Sequence, residues 1–255
     1  ASNGLPTVLA ELAAELGTVV TWQSNAPGGA TLQGHASNAT SNALIEAGGW
    51  DLVILQEQSQ IPSFPDNQVQ ADFFPAVAAL TATIRAHNPC AIPMLFMTWG
   101  RENGDASNCP VWPPVCTYEG MQALLTQRYL EAADLSDAWC APVGMVWQQL
   151  RETSAIDLYS ADGSHPSAAG TYAAASTMAV ALLGTDPAAA IYDGNIDAAD
   201  RALIDAAVWS MWQNQPDAWK QYAYTDFGLA IEPQAGGALV TVEANPYLDS
   251  VVVDS

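Results

Sequence analysis

The stretch WDLVILQEQS, residues 50 to 59, contains the clearest strand signal in the chain. Its apolar run ends abruptly in polar side chains, a pattern typical of a parallel strand that is buried on both faces. Helical patterns stand on either side of it, SNATSNALIEAGG before it and QADFFPAVAALTATIRAH after it. A buried strand between two helices predicts an α/β domain, so this stretch decides the fold class.

The same alternation continues in both directions along the chain. LPTVLAELAAELG, residues 5 to 17, predicts a helix that closes on Gly17, and TVVTWQS, residues 18 to 24, predicts a strand. A further strand is predicted in CAIPMLFMTWG, and APVGMVW predicts a short strand that runs into a helix. Further helices are predicted in TYEGMQALLTQRYLEAADLS and SAAGTYAAASTMAVALLG. This order predicts a mostly parallel sheet with right-handed crossovers and helices on both faces.

Composition limits the classes of partner. The 255 residues include 27 acidic and 6 basic side chains, which give a formal net charge of −21. Nucleic acid is not an expected partner, because phosphate binding requires clustered Lys and Arg. A membrane is not expected either, because no apolar run approaches the roughly 20 residues that span a bilayer. The acidic surface indicates solubility in a salty medium, with an ordinary acidic protein as the alternative.

Four cysteines stand at spacings that match neither a zinc ribbon nor a CxxC redox pair. CPVWPPVC contains three prolines that keep it out of regular structure, so it predicts a short loop closed by a Cys109–Cys116 disulfide. Cys90 and Cys140 each precede an apolar run, and neighbouring parallel strands would join them in a second disulfide. The bridges predict a secreted or periplasmic protein; the alternative is a cytosolic enzyme with reduced, buried cysteines.

Asp162 and His165 lie in DGSHPSAAG, residues 162 to 170, on a loop just before a predicted helix. At this spacing the carboxylate can accept a hydrogen bond from Nδ1–H of the imidazole and leave Nε2 free to take a proton from a nucleophile. The alternative is that Asp162 only caps the turn. The pair indicates a general base without identifying what it activates.

Seven segments, in this order, carry a resemblance to a known family: SNGLPTVLAELA, APGGATLQGH, WDLVILQEQS, FMTWGRENGD, YEGMQALLTQRYLEAA, APVGMVW and DGSHPSAAGTYAAA. They resemble the SGNH/GDSL hydrolase superfamily, in its branch with a glutamine in the third block, over residues 1 to 190. The resemblance implies a three-layer α/β/α sandwich of flavodoxin-like type. It also implies a serine esterase that acts on acyl or acetyl esters, often of carbohydrates, without a metal or other cofactor.

The resemblance places the nucleophile in a G-[ND]-S-x-T-x-x-N-x-[LM]-P segment, and Asn3, Leu5 and Pro6 match its end. The nucleophilic serine is therefore expected upstream of residue 1, in an N-terminal segment that also contains the first strand. The given sequence is accordingly interpreted as an N-terminal truncation. Ser2, which directly precedes Asn3, is the alternative nucleophile.

The resemblance also implies roles for residues at the carboxyl ends of the predicted strands. A backbone N–H of the second block helps to hold the oxyanion and matches Gly28 or Gly29, although an ordinary tight turn is the alternative. The third block usually offers an asparagine side chain, and this sequence has Gln56, a longer amide that still donates. Trp99 and Arg101 are expected to line a sugar-binding cleft, with a purely structural tryptophan as the alternative.

Three regions are predicted along the chain. Residues 1 to 190 form the hydrolase domain, residues 191 to 224 a C-terminal helical extension, and residues 225 to 255 a β-rich tail or the start of a further module. DGNIDAAD, residues 193 to 200, resembles a calcium loop, but Asp197 is expected to cap the following helix instead. The expected function is that of a serine esterase; the alternative is a non-catalytic glycan-binding or surface protein that retains the hydrolase fold.

Overall fold

The computed structural model describes residues 4 to 221, together with the backbone of residues 229 to 234 and 237 to 242. The chain divides into two compact units, Ala1–Lys220 and Gln221–Ser255. The first unit contains the helices α1 (Leu5–Glu15), α2 (Leu32–Ala36), α3 (Ala39–Glu46), α4 (Asp66–Gln68), α5 (Phe74–His87), α6 (Tyr118–Ser136), α7 (Val143–Thr153), α8 (Ala168–Leu183) and α9 (Ala198–Asn214). A π-helical turn, Val69–Phe73, joins α4 to α5.

Three parallel strands form the sheet of the first unit. They are β1 (Leu52–Leu55), β2 (Ile92–Phe96) and β3 (Trp139–Ala141), and β2 lies between the other two. Leu52 stands opposite Ile92, and Met94 stands opposite Trp139. The parallel sheet with crossover helices confirms the predicted α/β class.

Alternate residues of β2 face two separate hydrophobic cores. Met94 and Phe96 pack in a core built with α1, α7, α8 and α9. Leu95 packs in a second core, built mainly with α3, α5 and α6. Because successive side chains of a strand point to opposite faces, these two cores lie on the two sides of the sheet. Helices cover both faces, as the three-layer α/β/α prediction requires.

The burial of β1 is less complete than its sequence predicts. Ile54 in β1 is 37% exposed, whereas the residues of β2 from Pro93 to Phe96 are buried. Within the described residues β1 has a paired neighbour on one side only, whereas β2 pairs on both sides. The central position therefore belongs to β2, and an apolar run alone does not distinguish the two positions.

The predicted strand over residues 18 to 24 is wrong. Helix α1 ends in a Schellman motif, in which Thr18 N donates to Ala13 O at 2.9 Å and Gly17 N donates to Ala14 O at 3.1 Å. The chain then continues without regular structure, with Val19 and Trp22 exposed. High β-propensity does not make a strand without a partner, and this segment pairs with no strand in the described part of the chain.

The short strand that runs into a helix at APVGMVW is confirmed, but the strand lies a few residues earlier than expected. β3 reaches only Ala141, and α7 begins at Val143. Gly144 N donates to Met97 O at 3.1 Å. A Cβ at Gly144 would lie 2.2 Å from Thr98 O, so only glycine lets the first turn of α7 approach the end of β2 this closely.

One predicted disulfide is confirmed and the other is wrong. Cys109 and Cys116 are bonded, with their Cα atoms 4.6 Å apart. Cys90 and Cys140 are free thiols, the first exposed and the second buried. Cys140 stands opposite Leu95, five residues beyond Cys90. That offset amounts to about 16 Å at about 3.3 Å per residue, well beyond the reach of a disulfide.

The C-terminal part of the first unit is helical. α9 contributes Ile204, Val208 and Met211 to the core that α8 lines. The side chain of Asp197 accepts a hydrogen bond from Ala199 N at 2.8 Å, which confirms that it caps α9. The boundary between a hydrolase domain and a helical extension stays a prediction.

The second unit is described by two strands. β4 (Leu229–Gln234) and β5 (Gly237–Val242) pair antiparallel, from Leu229 opposite Val242 to Gln234 opposite Gly237. This pairing agrees with the β-rich character of the sequence there.

Among the described helices, none combines the length and the apolar character that a membrane-spanning segment requires.

The cysteine arrangement predicts a stepwise thiol count. We expect one thiol per native chain to react promptly with Ellman's reagent, because Cys90 is exposed, whereas Cys140 is buried and burial raises the pKa of its thiol. Unfolding without reductant should expose a second thiol, and unfolding with reduction should give all four cysteines. A Cys90→Ser variant, as control, should lose only the prompt reaction. Absence of free thiols in the unfolded, unreduced protein would show that Cys90 and Cys140 are bonded to each other after all.

Candidate active site

Asp162 and His165 form a hydrogen-bonded pair on an exposed loop. Asp162 Oδ2 lies 2.5 Å from His165 Nδ1, and Asp162 Oδ1 accepts from the backbone N–H groups of Ser164 and His165 at 2.9 Å each. The bond to the His165 side chain, aided by these backbone bonds, holds the pKa of Asp162 well below its usual range. The carboxylate therefore does both things that its sequence position allows: it orders the turn and it orients the imidazole. The side chain of His165 is 68% exposed.

Three further contacts hold the loop from Ser160 to His165, the histidine loop, in place. Ser160 N donates to His165 O at 2.8 Å, which joins the two ends of the loop. Glu102 N donates to Gly163 O at 2.9 Å, and Trp99 Nε1 donates to Ser164 O at 3.0 Å. Both of these donors belong to the segment that follows β2. The loop that carries the Asp162–His165 pair is thus attached to the carboxyl end of the central strand.

The structure corrects the expected role of Trp99. Its side chain is buried and stacks on Trp147, with ring centroids 3.9 Å apart and ring planes at 8°. A ring covered in this way does not present a face to a sugar. Trp99 supports the histidine loop through its indole N–H instead, which is the structural alternative raised by the sequence.

Arg101 lies beside a buried carboxylate. Its Nη1 is 3.3 Å from Asp105 Oδ1, and its side chain keeps 29% exposure. Asp105 is fully buried and accepts from Gln60 Nε2 at 2.5 Å and from Asn108 Nδ2 at 2.6 Å. Burial raises the pKa of Asp105, but the hydrogen bonds from Asn108 and Gln60 outweigh it, and the net pKa is lowered. A sugar-binding role for Arg101 stays a prediction.

The turn predicted to hold the oxyanion has the geometry that its glycines require. Ala30 N donates to Pro27 O at 3.2 Å, and Gly29 has φ of 72°, the left-handed conformation that favours glycine at the third position of a type II turn. Gly28 and Gly29 are both exposed. Among the described residues, no hydrogen-bond partner is found for their backbone N–H groups.

A network of side chains anchors the segment before this turn. Asn25 Nδ2 donates to Asn38 Oδ1 at 3.0 Å and to Ser41 Oγ at 2.9 Å. His35 Nδ1 lies 2.7 Å from the same Ser41 Oγ, and burial lowers the pKa of His35. His35 therefore has an ordering role here, through Ser41 and Asn25.

Glu57 connects the glycine turn to the end of β1. It is 1% exposed and accepts from Leu32 N, the first residue of α2, and from Gln58 N. Burial, with a smaller contribution from the nearby charge of Asp72, raises the pKa of Glu57 to about 7 against the opposing effect of these hydrogen bonds. Gln56, the residue before it, is exposed and has no hydrogen-bond partner in the described part of the chain.

The predicted site residues lie on loops that are joined one to the next. Glu57 joins the glycine turn to the end of β1, Gln60 joins that end to Asp105 after β2, and Trp99 joins the segment after β2 to the histidine loop. Within residues 4 to 221, no hydrogen bond directly links Gln56 to His165. Their action at a common centre stays a prediction.

The sequence did not point to the buried carboxylate of Asp105, and it left Glu57 as either a residue that supports the site or a solvated one. Each lies close in sequence to a predicted site residue: Glu57 follows Gln56, and Asp105 stands four positions after Arg101. The signal for Glu57 is an acidic residue just after a strand, whereas Asp105 stands nine residues after the end of β2 and has no comparable signal.

A cavity lies against the histidine loop. Its volume is about 300 Å³, and it is lined by Glu102, Arg151 and residues 154 to 159. Leu158 and Tyr159 lead directly into the loop, because Tyr159 pairs with Pro166 and Ser167 N donates to Leu158 O at 2.9 Å. Arg151 lies 4.0 Å from the centre of the Tyr118 ring and donates to Glu102 O. The cavity thus offers a cation and polar groups beside the backbone of the histidine loop.

Comparison with known proteins shows similarity at the level of structure. No protein-family model matches the chain, and no curated protein matches it. A protein from Slackia heliotrinireducens described as "a putative SGNH hydrolase" is 31% identical, with a TM-score of 0.57 over 70% of this chain and 90% of that one. A DUF4886 family protein from Bacteroides uniformis is 19% identical, with a TM-score of 0.67 over 82% of this chain and 89% of that one.

The raised pKa of Glu57 predicts a pH-dependent stability. A carboxyl whose pKa is about 7 when folded and near 4.5 when unfolded stabilises the protein below pH 4.5. That stabilisation, on the order of 3 kcal/mol, is lost as the pH rises through about 7. We therefore expect wild type to lose more unfolding free energy than Glu57→Gln between pH 5 and pH 8, measured by urea denaturation.

A matched control is Glu119→Gln, which removes the same charge at an exposed position of α6. It should follow the wild-type pH dependence. Equal pH dependence in Glu57→Gln and wild type would show that Glu57 does not titrate in this range.

Proposed function

The chain belongs to the SGNH hydrolase superfamily, and from this premise we propose that it is a serine esterase that releases small acyl groups from carbohydrates or similar polar alcohols. The observation that carries the proposal is the 2.5 Å contact between Asp162 Oδ2 and His165 Nδ1 on an exposed loop. A carboxylate on Nδ1 fixes the tautomer in which Nε2 can accept a proton. No partner in the described part of the chain occupies Nε2.

The proposed reaction is acyl transfer in two stages. His165 Nε2 takes the proton of a serine hydroxyl as its oxygen attacks the ester carbonyl, and Asp162 stabilises the imidazolium that forms. The ester C–O bond then breaks, and His165 returns the proton to the departing alcohol. In the second stage, His165 deprotonates a water that attacks the acyl-serine, and the carboxylic acid leaves as the serine regains its proton.

The serine is proposed to belong to the sequence block that ends in SNGLP, upstream of residue 1. Ser2 is the alternative, and both Ser2 and Asn3 lie outside the described residues. Labelling of the full-length protein with a serine-directed fluorophosphonate, followed by peptide mapping, identifies the residue.

The proposed oxyanion donors are the Gln56 amide and a backbone N–H of Gly28 or Gly29. Their exposure and lack of partners within the described residues support this role, because an oxyanion hole requires donors that are not already bonded. The cavity beside the histidine loop, with Arg151 and Tyr159, is proposed to receive the alcohol portion of the ester.

A secreted or periplasmic location is proposed for the esterase. The Cys109–Cys116 disulfide supports it, since such bonds persist in oxidising compartments.

The catalytic pair predicts a graded loss of activity. We expect His165→Ala to lower kcat/KM for acetyl esters by roughly 10⁴-fold or more, because both proton transfers are lost. Asp162→Asn should cost less, roughly 10²-fold, because water or a polar neighbour can partly orient the imidazole. The measurement is turnover of a panel of acetyl and longer acyl esters by the full-length protein.

His87, on the last turn of α5, provides the control, since His87→Ala should leave turnover unchanged. Wild-type turnover that survives His165→Ala would contradict the assignment. A wild type that binds glycans and hydrolyses none of the esters would favour the non-catalytic alternative.

The oxyanion assignment predicts an effect on kcat rather than on KM. We expect Gln56→Ala to lower kcat by roughly 10²-fold with little change in KM, because the donor matters most when charge develops on the carbonyl oxygen. Gln148→Ala, which removes an amide bonded to Glu152 on α7, is the control and should behave as wild type. An increase in KM at unchanged kcat would assign Gln56 to substrate binding instead.

A further inference from the structure

Glu57 takes no part in the proton transfers described above, yet it is among the most buried polar residues of the described chain, at 1% exposure. A carboxyl is rarely buried to this degree unless hydrogen bonds compensate for the loss of water. The donors that compensate are therefore informative about what Glu57 does.

Both donors are backbone N–H groups, and they come from different segments. Oε1 accepts from Gln58 N at 2.7 Å and from Leu32 N at 3.1 Å, and Oε2 lies 3.2 Å from the same Leu32 N. Gln58 follows β1, whereas Leu32 begins α2, 25 residues earlier in the chain than Glu57. One carboxyl group thus fixes the end of β1 to the start of α2.

Each of these segments carries one of the proposed oxyanion donors. Gln56 directly precedes Glu57, and Gly29 stands three residues before Leu32. Thr31, between Gly29 and Leu32, is held by its own cap, because its hydroxyl accepts from Gly34 N at 3.0 Å. The segment from the glycine turn to Leu32 is therefore short and ordered. Because of this, a contact that fixes Leu32 also restricts the position of the turn.

Glu57 has a further neighbour on α6. It also lies close enough to the hydroxyl of Tyr129, a fully buried residue of α6, to interact with it electrostatically. That hydroxyl also lies 3.4 Å from Thr98 Oγ1, at the carboxyl end of β2. Through Tyr129, Glu57 is therefore also connected to the end of the central strand.

We propose that Glu57 is a positioning residue that sets the Gly28–Gly29 turn and the Gln56 side chain at a fixed separation, so that both donate to one oxyanion. This inference rests on the proposed function, which gives these two groups their common role. Donors to an oxyanion lower the barrier only when they are held in place before charge develops, and a displacement of about 1 Å can cost about 10²-fold in rate.

The test compares Glu57→Ala with Glu57→Gln in the full-length protein. Alanine removes both hydrogen bonds, whereas glutamine keeps an oxygen at the position of Oε1, which reaches both N–H groups. We expect Glu57→Ala to lower kcat by roughly 10²-fold with KM nearly unchanged, and Glu57→Gln to recover most of that loss. If Glu57→Ala does not fold, Glu57→Asp replaces it, because the shorter side chain cannot reach both donors.

The matched control is Asp205→Asn. Asp205 is also buried, and it accepts from Tyr172 at 3.0 Å and pairs with Arg201 at 3.3 Å, joining α8 to α9. Its variant should lose stability while the folded protein keeps the wild-type kcat and KM. A purely structural role of Glu57 would give this same result.

Amide hydrogen exchange supplies a second readout that does not depend on activity. We expect Glu57→Ala to accelerate exchange in residues 28 to 32 and 56 to 58 together, Glu57→Gln to restore protection, and Asp205→Asn to change neither segment. Unchanged exchange, or unchanged kcat in an active Glu57→Ala enzyme, would overturn the inference while leaving the esterase intact. A wild type without esterase activity would overturn the proposed function, and the exchange data would still show whether Glu57 joins the two segments.

Discussion

Parallel pairing of β2 with β1 on one side and β3 on the other determines where the chain can carry chemistry. The carboxyl ends of parallel strands open at one edge of the sheet, and the loops that leave them are therefore neighbours. The segments after β1 and β2 both emerge there, and the histidine loop is fastened to the second of them through Trp99 and Glu102. A residue at the amino end of any of these strands lies at the opposite edge of the sheet and could not join them.

Buried carboxyl groups, rather than apolar packing alone, connect the loops at this edge. Glu57 joins α2 to the end of β1, and Asp105 joins the end of β1 to the loop after β2. Burying a charged group is costly unless its oxygens are well bonded, so such a group tolerates few alternative arrangements of its donors. An exposed site on mobile loops would lack this constraint. Because the oxygens of these buried carboxyl groups must be hydrogen-bonded, the loops that supply the donors are held in one arrangement at this edge.

The sequence was sufficient where the determining interaction is local. The apolar run of β1, the caps of α1 and α9, the Asp162–His165 contact and the Cys109–Cys116 bridge all join residues close in sequence, and each was predicted. The failures concern distant partners. Strand formation in residues 18 to 24 depends on a neighbouring strand, and the Cys90–Cys140 bridge depends on the register of β2 against β3. The burial of Trp99 depends on Trp147, and the role of Glu57 on Leu32, both far away in sequence.

We propose that the Asp162–His165 pair, Gln56 and the glycine turn act on a single ester carbonyl. The most direct measurement is a crystal structure of the full-length protein inactivated by an alkyl phosphonate, whose phosphoryl oxygen imitates the oxyanion. We predict the phosphorus bonded to a serine upstream of residue 1, its oxygen within hydrogen-bonding distance of Gln56 Nε2 and of a backbone N–H of Gly28 or Gly29, and His165 Nε2 facing the serine oxygen. A phosphonate attached elsewhere, or an oxygen held by neither Gln56 nor the glycine turn, would contradict the account.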